Sequence, residues 1–232
     1  MNSIYRQAMH VREEDWRSFV GYAYCWYEVL EAHHTLEESS LFPAIEALVG
    51  EPGLMDANVA AHGVFDAPVA EYAAYLLRLK NAPSMQRTAD TDAETETETE
   101  TETETETETE GFDAAKLMAL IDALAPPLLE HLRAEIPTLL ALATHPFFAR
   151  IATPASATAL LELYAAQEFR IMGLLGLTEG HMFFFFNLDR GFEGGRWRGW
   201  PGVPEGVRWV LLRTVGRWWG ARWRWASCGV GG

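Results

Sequence analysis

The stretch EAHHTLEESSLFP, Glu31 to Pro43, sets two adjacent histidines four positions ahead of two adjacent glutamates inside an apolar helical run. On a helix, residues four apart stack on one face, so His33 with Glu37 and His34 with Glu38 each aim an imidazole and a carboxylate at one point. The run around it is helical from Glu13 to about Val49, with Trp16, Phe19, Val20, Ala23, Trp26, Tyr27 and Leu30 forming a broad apolar stripe. Pro43 predicts a kink near its end.

Outward from this helix the same periodicity recurs. EPGLMD, residues 51 to 56, reads as a turn, with Asp56 or Asn58 placed to cap a second helix from Asn58 to Leu79. Phe112 opens a third helical stretch reaching residue 144, in which Pro126, Pro127 and Pro137 each predict a kink or a break. Met1 to Met9 reads as a short leading helix. No strand pattern competes, and the expectation is an all-α chain whose residues 1–144 form an up-down helix bundle.

Residues 81–111 break the pattern. From Glu94 to Glu110 the chain alternates glutamate and threonine without an apolar residue, which predicts a disordered acidic loop. The net charge of −15 comes mostly from its nine glutamates; without them the chain is at about −6, ordinary for a soluble domain. The acidity therefore identifies no partner of the folded part. Residues 145–232 read as a C-terminal extension, with seven of the nine tryptophans and eight arginines from Arg190 onward. Interleaved arginine and tryptophan suit nucleic acid or a membrane interface, but no nucleic-acid motif is present. The expectation is a segment that packs its tryptophans on the bundle, arginines outward.

Two cysteines, Cys25 and Cys228, are too few for a disulfide framework, and neither sits in a CxxC pair. The opening residues lack signal-peptide order, and no apolar run reaches bilayer length, so the expectation is a soluble cytoplasmic protein.

The chain holds four HxxxE pairs. His10 with Glu14 falls in a connection, where no helix holds the spacing. The other three, His33/Glu37, His34/Glu38 and His131/Glu135, lie in expected helices, and His62 lies on another. Three helices each bringing histidine into apolar surroundings need a common partner for those buried polar groups, and a metal ion supplies one. Nitrogen and oxygen donors without thiolate suit iron, manganese or zinc.

HHTLEESSLFPAIE, DANVAAHGVF and EHLRAEIPTLLAL resemble, in order and spacing, the motifs of the hemerythrin-like, or HHE cation-binding, domain. DRGFEGG, WPGVP and the terminal WRWASC are similar to the C-terminal extension of its longer members. The resemblance implies a four-helix bundle around a non-haem di-iron centre that binds dioxygen or a related small oxidant. It implies His33, Glu37, His62, His131 and Glu135 as metal ligands, with His34 and Glu38 the one-step alternative to the first pair. It also implies a first-helix histidine with no counterpart here, hence a truncated first helix and an incomplete ligand set. Two other readings are an oxidase or peroxide-consuming enzyme on the same centre, and a helical interaction protein that has lost its metal.

Overall fold

The computed structural model describes residues 1–83, 111–147 and 154–228. Among them every regular element is helical, as the periodicity predicts. The glutamate-threonine repeat, and with it the expected disordered loop, lies outside the described residues.

A short α1 (Asn2–Gln7) leads into α2 (Trp16–Leu36), which continues through a π turn (Glu37–Leu41) into α3 (Phe42–Val49). The distortion expected at Pro43 therefore falls just before it. Pro43 has no N–H for the Ser39 carbonyl and its ring crowds that position. The Phe42 N–H reaches back five residues, to the Glu37 carbonyl. Gly50, at φ 76°, ends α3 in the left-handed conformation that glycine adopts without strain.

The single helix expected over 58–79 is two helices, α4 (Asp56–His62) and α5 (Asp66–Asn81). Between them Val64 N–H donates to Ala61 O and Phe65 N–H to His62 O, a tight turn that swings Phe65 into the interior, where it is 1 % exposed. Neither Asp56 nor Asn58 caps α4 through its side chain. In contrast α6 (Ala114–Ala141) is capped by Asp113, whose Oδ1 accepts from Lys116 N–H at 3.0 Å. It runs unbroken through all three prolines. The carbonyls that these leave without an in-helix donor belong to Asp122, Ala123 and Arg133, all exposed, where water replaces the missing bond. The buried face, Leu117, Ile121, Leu124, Leu128, His131 and Glu135, keeps helical spacing throughout.

The segment after residue 145 contributes α7 (Pro154–Leu175), a π turn (Gly176–Gly180) and α8 (His181–Asn187), then α9 (Glu205–Arg213), α10 (Val215–Trp218) and α11 (Gly220–Trp223). α2 is central: α5 and α7 both pack along it, and α6 packs on α5. α7 also touches the π turn and α3. Gln167 Nε2 donates to the Leu36 carbonyl at 2.8 Å, and the Arg170 guanidinium donates to Ser40 Oγ, so α7 is fastened where α2 widens.

The tail is folded back rather than free. Trp225 meets Phe19 edge-on at 5.1 Å, Trp223 stacks on Phe186 at 5.6 Å, and Gln7 Nε2 donates to the Trp225 carbonyl at 2.8 Å. The expected arrangement of tryptophans inward and arginines outward holds only for part of the tail. Trp218 is 85 % exposed and Trp209 is exposed, whereas Arg208 is buried against the Phe185 ring. A helix can bury only one stripe, and the short α9 turns its stripe so that Arg208 and Leu211 face inward. No helix among the described residues is long and apolar enough to cross a membrane.

Candidate metal centre

Two apolar clusters fill the interior. One joins α1, α2, α5, α6, α8 and the tail, and the other joins α3, Met55, Leu142 and partly buried residues of α7. Between them lies a polar island. Phe65 of the first cluster stands 5.0 Å from His34, 5.9 Å from His62 and 5.3 Å from His131, while Phe42 of the second stands 5.9 Å from His62.

The end of α2 and its π turn supply His33, His34, Glu37 and Glu38; the last residue of α4 is His62; α6 supplies His131 and Glu135. Every ligand residue expected from the sequence therefore comes to one place. His33 Nε2 is 3.3 Å from Glu37 Oε1 and His131 Nε2 is 3.8 Å from Glu135 Oε2, each pair spanning one helical turn. The imidazoles of His34 and His62 are 4.5 Å apart, and those of His62 and His131 4.6 Å apart.

The two readings of the HHTLEE segment are both partly met, because the chain is not a plain α-helix there. His34 lies inside the island beside His33. Glu37 turns inward at 5 % exposure. Glu38 instead meets the far side of the His62 ring, with Oε1 2.6 Å from Nδ1. A carboxylate only accepts, so Nδ1 carries the proton and Nε2 of His62 faces the island with its lone pair. Nε2 is 3.7 Å from Glu37 Oε2.

Burial works against the charged forms of His33 with Glu37 and of His131 with Glu135. Burial, reinforced by the neighbouring imidazoles, pushes His33 down to about 4 and His34 down to about 3. His131 is lowered by burial and by His62. Burial, then Glu135 and Glu38, pushes Glu37 up to about 9, and burial raises Glu135 against the opposing effects of His62 and Asn58. His33, His34 and His131 are thus pushed toward the neutral form that ligates metals.

Three overlapping trios, His34/His62/His131, His33/His34/Glu37 and Glu37/His62/Glu135, each present ligand atoms within 4.8 Å of one another. The decisive feature is what these atoms lack. His34 Nε2, Glu37 Oε2, His62 Nε2, His131 Nε2 and Glu135 Oε1 are all buried without a hydrogen-bond partner. One such atom costs about 1–3 kcal/mol, so five in one island call for a common partner. A divalent cation fits the donor set, neutral imidazoles and carboxylates without thiolate.

Sequence reading missed three contributors. Asn58 is buried and hydrogen-bonds Glu135 instead of capping its helix. Tyr164 and Gln167, on α7, reach the His33 and Glu37 side of the island, lining one cavity with them. No local motif marks either; only the long-range packing of α7 on α2 brings them there.

The chain is 26 % identical over 233 residues to a protein of Cryptosporiopsis sp. (strain 8999) named dimeric xanthone biosynthesis cluster protein R11, a match that covers all of this chain and 74 % of that protein. No family model and no solved structure matches the chain.

Proposed function

We propose that the chain is a non-haem metal protein of hemerythrin type whose island holds a dinuclear iron centre and takes up dioxygen or a related small oxidant. The observation that carries this reading is the set of five buried, unpartnered ligand atoms converging from α2, α4 and α6. His33, His34, His62 and His131 would hold the metal through nitrogen, and Glu37 and Glu135 through carboxylate oxygen. When bound, ferrous iron supplies the electrons that reduce an oxidant. The protein's part is to keep the imidazoles neutral, to fix the His62 ring through Glu38, and to seal the centre with Phe42 and Phe65.

On this reading α2, α4 with α5, α6 and α7 are the four helices of the bundle, and α7 takes the place of the first helix that the resemblance implies. It contains no histidine, so the expected first-helix ligand is replaced by His34. Manganese or zinc would suit the same donors.

Elemental analysis of protein expressed in iron-supplemented medium tests the reading. About two irons per chain, with an absorption spectrum that changes when air is admitted, is expected. Metal-free protein that neither binds added ferrous iron nor gains stability from it overturns it.

A second reading has a specific observation in its favour. A cavity far larger than dioxygen opens beside His33 and Glu37, and the relative is named as a protein of a dimeric xanthone biosynthesis cluster. Both favour an oxidase on the same centre over a carrier.

A further inference from the structure

α6 and α7 stand either side of a cavity of about 500 Å³. Leu132 and Leu139 line it from α6, Ile171 and Met172 from α7, and Trp26 and Leu30 from α2. Phe183, Phe184 and Trp200 close its far end, with Trp200 and Phe184 edge to face at 4.6 Å. His33 and Glu37, at the edge of the metal island, form part of the same wall.

Cavities of roughly 300–1,000 Å³ accommodate small organic molecules. Dioxygen requires only a fraction of this space, and a dry apolar void loses packing contacts for no structural return. The aromatic walls offer flat faces for stacking. Among them is one fixed acceptor without a donor: Gln167 is 7 % exposed, its Nε2 is committed to the Leu36 carbonyl, and its Oε1 is buried and unpartnered. Tyr164, also in the wall, has its hydroxyl raised above the ordinary tyrosine range, chiefly by burial and then by Glu135 and Glu37. Tyr164, Gln167 and the half-buried Glu168 are thus the polar residues of a mostly apolar wall that adjoins the ligand side chains.

We propose that this cavity binds a planar, multi-ring aromatic molecule bearing a hydroxyl group, which donates to Gln167 Oε1 and sets the ring system against the His33 and Glu37 edge of the island. It deepens the oxidase reading by naming the substrate class, and rests on that reading for its consequence, though not for binding itself. A long alkyl chain suits the cavity less well, since it uses neither the stacking faces nor the fixed acceptor.

Titration of the full chain with 2-hydroxyanthraquinone and with anthraquinone, followed by tryptophan fluorescence, tests it; Trp26 and Trp200 lie in the wall. Saturable one-to-one quenching is expected, with the hydroxylated compound tighter by about five- to tenfold, the worth of one hydrogen bond. Ile171→Phe, which fills the space, weakens both compounds by about tenfold or more. Gln167→Leu abolishes the difference between them while leaving the parent compound's affinity in place, an outcome that also shows that variant folded. Non-saturable quenching, indifference to Ile171→Phe, or tighter binding of decanoate than of either ring compound overturns the proposal. The titrations are run on metal-free and iron-loaded protein. Probe binding without iron binding leaves this proposal standing and removes the metal reading; iron binding without probe binding does the reverse.

Discussion

His62 Nδ1 lies 2.6 Å from Glu38 Oε1, while Nε2 of the same ring is buried and unpartnered in the polar island. One contact outside the island thereby fixes the tautomer and the aim of a ring inside it. A carboxylate behind a ligating imidazole also raises its basicity, and losing such a partner lowers metal affinity by about 10–100-fold. Glu38→Gln is expected to weaken iron or zinc binding by about that factor in a competition titration, with the helical content unchanged because Glu38 is largely exposed. Unchanged affinity would remove Glu38 from the site.

The island also predicts an inverted stability effect. Without metal, the Glu37 carboxyl is buried with Oε2 unpartnered and pushed up to about 9. Replacing a buried unsatisfied polar group by an apolar one of similar shape is neutral or stabilising. Glu37→Met is expected to leave the metal-free protein as stable as the parent or up to about 2 kcal/mol more stable, measured by urea unfolding. The same substitution is expected to abolish the rise in melting temperature that saturating metal gives the parent, since ligand binding to the folded state stabilises by mass action. A loss of several kcal/mol in the metal-free variant would show that Glu37 has a structural role of its own.

Much of this site is legible in the sequence, for one physical reason. HxxxE on a helix is a local geometric statement, and α2 and α6 are long and strongly periodic, so spacing alone brings out His33/Glu37, His34/Glu38 and His131/Glu135, without choosing between the first two. His62 is visible as a histidine in apolar helical context. What spacing does not show is that His34 joins His33 in the island while Glu38, in the π turn, lies behind His62; the i, i+4 rule treats those two pairs as alternatives. The break at Gly63–Phe65 is equally hidden, because Asn58, His62 and Phe65 continue a helical pattern across it. The reach of α7 to His33 and Glu37 depends on contacts more than a hundred residues apart in sequence, which no window along the chain contains.

The tail divides into parts with opposite expected sensitivity. Trp225 Nε1 donates to Ser18 Oγ at 3.0 Å, its ring packs on Phe19, and its carbonyl accepts from Gln7. Trp225→Ala is expected to destabilise by about 3–5 kcal/mol, the range for truncating a buried aromatic residue. Trp218, at 85 % exposure, is expected to tolerate alanine within about 0.5 kcal/mol. Chemical denaturation of both variants checks the pair, and equal effects would contradict the packing of the tail on α2.

A half-buried carboxyl away from the island, Glu28, gives the pH dependence. Burial and the adjacent Glu179 push Glu28 up to about 7 from an ordinary 4.5, against the opposing pull of Lys80 and Arg222. Arg222 is itself held by Glu179 at 2.9 Å. The folded chain therefore keeps a proton on Glu28 that the unfolded chain releases between about 4.5 and 7, and linkage makes stability fall as pH rises through that window. The contribution is fully present below the lower value and lost above the upper one. His33 and His34, with folded values below the ordinary 6.5, act in the opposite direction over the acid side of the same range, so the parent's own profile is a composite. The difference between parent and Glu28→Gln isolates one group. Glutamine is neutral at every pH, so the variant is expected to match the parent near pH 4.5 and to exceed it increasingly up to about pH 7, with a constant gap beyond. A stability difference independent of pH would mean that Glu28 ionises normally, and that the contact with Glu179 does not hold it protonated.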